Sequence, residues 1–189
     1  MGEGHLLLSP APYHILSYGT LLGTQVFHTF INSLTAIKVL ERPQFGVLQR
    51  ALFPTYFGIQ TVTPVILALT YPGSSVLRTA LDGTTTSSSI GGVLHASNRW
   101  GVLAPLCAMF ATGLVNWVYL LPETNKITAK RRDQEKEDGK NSFDGPPHSE
   151  KMQALNKQFG KIHGISSLLN LITLIATVVY GVNLSSRLE

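Results

Sequence analysis

Four apolar stretches, at 10–39, 45–71, 99–121 and 162–184, alternate with polar or turn-rich segments along the chain. About 20 consecutive apolar residues cross the hydrocarbon core of a bilayer at a rise of roughly 1.5 Å each, so every stretch has the length of a transmembrane helix. Mean hydropathy is only +0.16, because 16 of the 26 charged side chains fall between positions 123 and 161. A soluble domain of this size has room to bury one such helix; four would leave a large apolar surface in water. The pattern therefore predicts an all-α integral membrane protein. Residues 1–189 form one transmembrane four-helix bundle, with a long hydrophilic loop, 122–161, between the third and fourth helices.

Charge placement sets the expected orientation. Of the 15 Lys and Arg residues, 12 fall beside the ends facing the 1–2 and 3–4 connections, while Arg78, Arg99 and Arg187 fall on the opposite side. The positive-inside rule then puts both connections in the cytosol and both termini on the other side. A net charge of +4 is explained by these helix ends and the polar loop. The expected partners are membrane lipids, including anionic headgroups at the cytosolic face, and not nucleic acid. The opening MGEGHLLLSPAPYH lacks a positive n-region and an obvious cleavage site, so the first span is expected to act as its own targeting signal. A lone Cys107 excludes an intrachain disulfide and a cysteine zinc cluster within one chain.

Local signals refine the elements. Ser9-Pro10 is a helix start, and Gly19 with Gly23 permits close helix approach, a homodimer seam among the options. Pro54 and Pro64 lie inside the second stretch and each removes a backbone hydrogen bond, so Thr61, Thr63 or a neighbouring helix must satisfy the freed carbonyls. RTALDGTTTSSSIGG reads as an exposed loop. ITAKRRDQEKE favours a helical extension of the third span, DGKNSFDGPP breaks it, 138–149 reads as a disordered loop, and 150–161 resumes as helix.

Polar residues inside the spans fall on helical stripes. Gln25, His28 and Asn32, with Thr35, share one face of the first helix; His163, Ser167, Asn170, Thr173 and Thr177 form a stripe on the fourth. Polar groups at membrane depth need partners, so both stripes should face the bundle, either knotting the helices together or lining a cavity. Gln49, Asn116 and His163 are expected at similar depth in the cytosolic half, with Ser167 and Asn170 nearby, as a candidate vestibule. Chemistry is hardly written here. His163 beside Ser166 and Ser167 has the residue types of a nucleophile and base, but no acidic group to orient the imidazole. HExxH and GxSxG are absent, so no enzyme, metal or cofactor is expected.

The segments GTQVFHTFINS (23–33), FGVLQRALFPTYF (45–57), VNWVYLLPET (115–124), RRDQEKEDG (131–139) and LNKQFGKIHGISSLLNL (155–171) resemble the transmembrane protein 205-like family over nearly the whole chain. Its patterns fall on Phe45, Gly46, Gln49, Pro54 and Tyr56, on Asn116, Pro122 and Thr124, and on His163, Gly164, Ser166, Ser167 and Asn170. The resemblance implies a small four-span protein of an endomembrane or plasma membrane, with unassigned activity and an association with drug tolerance. A soft platinum centre would take sulfur ligands, but Cys107 and Met109, two residues apart, fall on different helix faces, so a sulfur relay is not expected. The leading expectation is a structural or trafficking component. The alternative is a solute transporter or efflux accessory in drug or metal tolerance.

Overall fold

The computed structural model describes residues 9–72 and 89–186, and these are almost wholly helical. The expected loop RTALDGTTTSSSIGG and the basic residues Arg78 and Arg187 lie largely or wholly outside them. Helix α1 (Pro10–Val26) passes through a π-helical turn (Phe27–Asn32) into α2 (Ser33–Val39). Helix α3 covers Arg42–Leu69, and α4 is the single turn Ser89–Val93. A 3-10 turn (Ala96–Asn98) and a π turn (Arg99–Leu103) lead into α5 (Ala104–Val115). A further π turn (Asn116–Leu120) joins it to α6 (Leu121–Asp138), and α7 is the long helix Glu150–Ser185. Among the described residues, three continuous helices are long and apolar enough to cross a membrane: Arg42–Leu69, Ala96–Asp138 and Glu150–Ser185.

Helix α5 packs between α3 and α7, and α1 lies against both α3 and α7. The buried apolar core collects Leu21, Leu67, Tyr71, Met109, Tyr180 and Leu184, among others, from all of these helices. Outward faces are apolar too, with Leu16, Phe27, Val118, Leu168 and Val182 all more than half exposed. Such surfaces suit lipid contact.

Prolines explain two of the irregular turns. Pro105 and Pro122 each follow a π turn, at the start of α5 and α6. Proline has no N–H for the carbonyl one turn earlier, and the wider π turn absorbs the ring while the helix continues. In α3, Pro64 likewise frees the carbonyl of Gln60. The Thr61 hydroxyl bonds elsewhere, to the Phe57 carbonyl at 2.8 Å. The freed carbonyl instead meets α5 at Gly113, where an added Cβ would stand 3.1 Å from both the Gln60 carbonyl carbon and oxygen. A larger residue there requires the two helices to part by a few tenths of an ångström. Pro43, by contrast, sits harmlessly in the first turn of α3.

The expected long hydrophilic loop is corrected by the structure. Positions 122–161 are mostly helix: α6 runs unbroken to Asp138, α7 starts at Glu150, and the two pack antiparallel. Only 139–149 is non-helical, and it follows a hydrogen-bonded path rather than a disordered one. Gly139 ends α6 in the left-handed conformation, φ 61°. The Ser142 amide donates to Glu135 at 2.8 Å, and Asn156 donates to the Ser142 carbonyl at 3.0 Å. Ser149 caps α7 through the Met152 amide and also donates to Asp138 at 2.7 Å. Hydrogen bonds from Ser149 and Gln134 hold the Asp138 carboxyl below its ordinary range. Higher up the hairpin, Arg131 bonds Asn156 at 2.9 Å and lies over the Phe159 ring, 4.3 Å from its centroid. Composition marked the break at Gly139 but not these side-chain bridges, which depend on residues 7 to 28 positions apart.

Two substitutions test this packing. Gly113→Val should lower the thermal stability of the purified protein by about 1–3 kcal/mol, since it must push against the Gln60 backbone and the Thr61 hydroxyl, all 3.1 Å from an added Cβ. Gly139→Ala should cost about 1–2 kcal/mol through the left-handed backbone alone, and hydrogen exchange should rise in 139–149 rather than in the apolar helices.

Candidate functional site

The polar side chains within the bundle form tiers along its axis. At the end nearest the chain termini, His14 on α1 bonds Thr70 through Nδ1 at 2.9 Å and Tyr180 through Nε2 at 2.8 Å. His14 is 1% exposed. It was not singled out from the sequence, although 14, 18, 21, 25, 28 and 32 continue the 4, 3 spacing of the stripe on the first helix. The central tier gathers around Asn170 of α7. Its Oδ1 accepts from Tyr56 Oη and from Gln60 Nε2, both at 2.7 Å, and its Nδ2 donates to Thr29 at 3.4 Å. Three helices thus meet on one carboxamide.

On α5 and α7 a second ladder runs parallel. Thr112 and Thr173 share a hydrogen bond of 2.7 Å, Thr177 donates to the Met109 sulfur at 3.1 Å, and Ser166 donates to Asn116 Oδ1 at 2.7 Å. Asn116 opens a π turn, and the Leu121 amide reaches back five residues to its carbonyl. Thr173 and Thr177 are fully buried, but Ser167 and His163 are exposed. The inward stripe of α7 is 166, 170, 173, 177, 180 and 184, and Ser167 stands about 100° round the helix from Ser166.

The candidate vestibule is therefore not gathered as one network. Asn116 is buried and joined to Ser166; His163 stacks on Phe159, ring centroids 5.7 Å apart, on the outside of the helix. Gln49 is 7% exposed, and neither atom of its amide has a hydrogen-bond partner. Asn170 belongs to the tier of Tyr56 and Gln60. The three residues of the first-helix stripe do lie together. His28 fills the π turn, with its ring 4.3 Å from that of Tyr56 and 5.3 Å from Phe53, and Asn32 lies 3.2 Å from its Nδ1. Gln25, three residues earlier, is completely buried.

Several of these buried groups are unmatched. Both amide atoms of Gln25, Oε1 of Gln60 and Nε2 of His28 have no hydrogen-bond partner. Contacts between α1 and α3 fix their relative height. His14 pairs with Thr70 and His28 with Tyr56, and the same antiparallel register brings Gln25 level with Gln60, both 0% exposed. Gln60 itself bonds Asn170 through Nε2, and Gln25 sits one turn from Thr29, which also touches Asn170. The unmatched atoms comprise acceptors and donors but no charge. Lys38, Arg50 and Arg99, the charged residues of the apolar stretches, all stand near helix ends. Just beyond this level, on the same two helices, an open groove of about 410 Å³ is lined by Leu16, Ser17, Thr20, Ile59, Thr63 and Ile66, among others. Among the described residues no cluster of three or more His, Cys, Asp or Glu could hold a metal. Tyr56 and Gln60 carried no separate signal in the sequence beyond their 4-residue spacing within an apolar run.

Comparison with known proteins places this architecture. The profile of a domain of unknown function, DUF4149, matches residues 16–133, from α1 to the middle of α6. A protein of Aspergillus fumigatus named xanthocillin biosynthesis cluster protein D is 33% identical over 177 residues, which cover 94% of this chain and 90% of that protein. No solved structure matches the chain significantly. On the extent of these matches, the chain belongs to the DUF4149 family, whose molecular activity is unassigned.

Proposed function

We propose that this is a four-span membrane protein of the transmembrane protein 205-like kind, and that its interior receives a small solute, as a transporter or efflux accessory does. In this reading the segment from α1 to α2, 30 residues of continuous helix, is the fourth crossing, and both termini are non-cytosolic. The observation that carries it is the fully buried amide of Gln25, which has no hydrogen-bond partner, level with the unmatched Oε1 of Gln60. A buried amide without partners costs roughly 1–3 kcal/mol, and more where no water reaches it. Such a cost at Gln25, with a further acceptor left open on Gln60, is understandable where a guest supplies the missing bonds. The name of the Aspergillus relative, from a biosynthesis cluster, is compatible with moving or sheltering a biosynthetic product.

A structural or trafficking role is the second reading, favoured by Asn170 and Asn116, whose bonds hold the helices together without remainder for a ligand. The basic side chains Lys126, Lys130, Lys157 and Lys161 would in either case lie near a cytosolic membrane surface and attract anionic headgroups. A homodimer through the open Gly19–Gly23 face, where no atom lies within 4 Å of an added Cβ, would suit a transport path larger than one copy provides.

The two readings separate in one labelling experiment. In a Cys107→Ser background, Gln60→Cys should react with a small, water-soluble thiol reagent in sealed vesicles, while Leu67→Cys, equally buried but apolar, should not. Equal inertness at both positions would favour the purely structural role. On stability, Asn170→Leu should cost about 1–3 kcal/mol by stranding Tyr56 and Gln60, whereas Gln25→Leu should be neutral or stabilising, because it strands nothing. For topology, protease added to the cytosolic side should cut between Lys130 and Lys151 and spare tags at both ends. Cleavage of the tags with protection of the hairpin would reverse the orientation.

A further inference from the structure

The α6–α7 hairpin sorts its charges by height. Between 124 and 132 on α6, and between 152 and 163 on α7, there is no Asp or Glu, and the charged side chains are Lys126, Lys130, Arg131, Arg132, Lys157 and Lys161. Acids occur toward the tip, from Asp133 to Glu150. The basic level lies at the edge of the apolar span. Phe159 comes three residues before Ile162, where the apolar stretch of α7 begins, so along this continuous helix it stands no more than about 4.5 Å outside the hydrocarbon. The headgroup layer on each side of a bilayer is roughly 5–7 Å deep.

At that depth Arg131 differs from its basic neighbours. Its Nε donates to Asn156 Oδ1 at 2.9 Å, and its guanidinium carbon lies 4.3 Å from the centroid of the Phe159 ring. That ring is itself stacked with His163, centroids 5.7 Å apart. The contacts fix the guanidinium plane and leave both Nη groups without an acceptor among the described residues. Arg131 joins none of the ion pairs there, which are Lys126–Glu123, Lys136–Asp133 and Lys151–Glu137. Glu135, one turn further along α6, has an oxygen engaged by the Ser142 amide. Arg131 is partly buried, and burial pulls its pKa below the ordinary arginine value, while the Glu135 charge opposes the shift. A partly desolvated cation without a counter-ion is costly, and a planar guanidinium with a free edge takes an oxyanion through two parallel bonds. Lys130, Lys157 and Lys161 are exposed and offer only mobile point charges.

We infer that Arg131, held by Asn156 and Phe159, binds the headgroup phosphate of an anionic phospholipid in the leaflet beside the hairpin, and prefers a phosphate monoester such as that of phosphatidic acid. A monoester presents three free oxygens and more than one negative charge near neutral pH, whereas a diester headgroup presents a single charge on a phosphate crowded from both sides. The fixed fork reads that difference; the surrounding lysines add attraction without selecting. The inference rests on the attraction of anionic headgroups proposed above and assigns its selectivity to one side chain.

The test is native mass spectrometry of the full chain in a neutral detergent, with phosphatidic acid, phosphatidylserine or phosphatidylcholine of one acyl composition. Phosphatidic acid should bind about tenfold more tightly than phosphatidylcholine and at least about threefold more tightly than phosphatidylserine. Arg131→Lys keeps the charge but not the fork, and Asn156→Leu releases the guanidinium without changing charge. Each should abolish the preference over phosphatidylserine while anionic lipids still exceed phosphatidylcholine. Lys157→Gln should weaken both anionic lipids alike and keep the preference. Circular dichroism and melting temperature in phosphatidylcholine check the fold of each variant, and the parent's own ranking of the three lipids decides the matter where a variant unfolds. Inorganic phosphate and glycerol 3-phosphate at millimolar concentration should not displace the lipid; displacement by either overturns the lipid as the source of the phosphate. Equal binding of phosphatidic acid and phosphatidylserine, or a preference that survives both Arg131→Lys and Asn156→Leu, overturns the Arg131 site but leaves the general attraction. Equal binding of all three lipids overturns both.

Discussion

In hydrocarbon a polar group has no water to fall back on, and Asn170 is where this chain meets that constraint most completely. One carboxamide accepts from Tyr56 and Gln60 on α3 and donates to Thr29 on α1. Apolar contact alone discriminates poorly among helix arrangements in lipid, since tails are as apolar as Leu. A hydrogen-bonded hub removes that ambiguity: rotating or sliding any of the three helices by one residue would leave several groups unpaired. The upper tier of His14, Thr70 and Tyr180 repeats the device near the opposite end, so α1 is registered against α3 and α7 at two heights.

At the edge of the Asn170 tier the same rule is broken: Gln60 keeps an unmatched Oε1 after its Nε2 bonds Asn170, and the buried amide of Gln25 has no partner. The contrast is informative because the cost is of one kind throughout. A bundle that satisfies His14, Asn116, Thr173 and Asn170 has the means to satisfy Gln25, or to replace it with leucine. An amide that stabilises nothing in the protein alone is what the proposed solute-receiving interior requires. The π turn at Phe27–Asn32 fits with this, since it turns His28 inward beside Tyr56, and π turns recur at functional sites.

Much of this was legible in the sequence and some was not. The long apolar runs, the inward stripe Gln25, His28, Asn32 and the helical extension through Glu137 follow from periodicity and composition. Periodicity put Ser167 on the inward stripe where the structure uses its neighbour Ser166, and it overextended the α7 stripe to His163, which the structure leaves outside on Phe159. The connection 138–149 was read as disordered since its order comes from Glu135, Asn156, Ser142 and Ser149 acting across the turn. Such contacts have no period. Tyr56 and Gln60 were missed for a related reason: in an otherwise apolar helix, a tyrosine and a glutamine declare their role only when Asn170 arrives from far along the chain.

The central claim is that the buried amides of Gln25 and Gln60 are completed by a guest. A density map of the protein in lipid nanodiscs, at a resolution that defines side-chain amides, tests it most directly. The account predicts non-protein density within hydrogen-bonding distance of Gln25 and of Gln60 Oε1. Two amides bonded directly to each other, with no space between them, would contradict it.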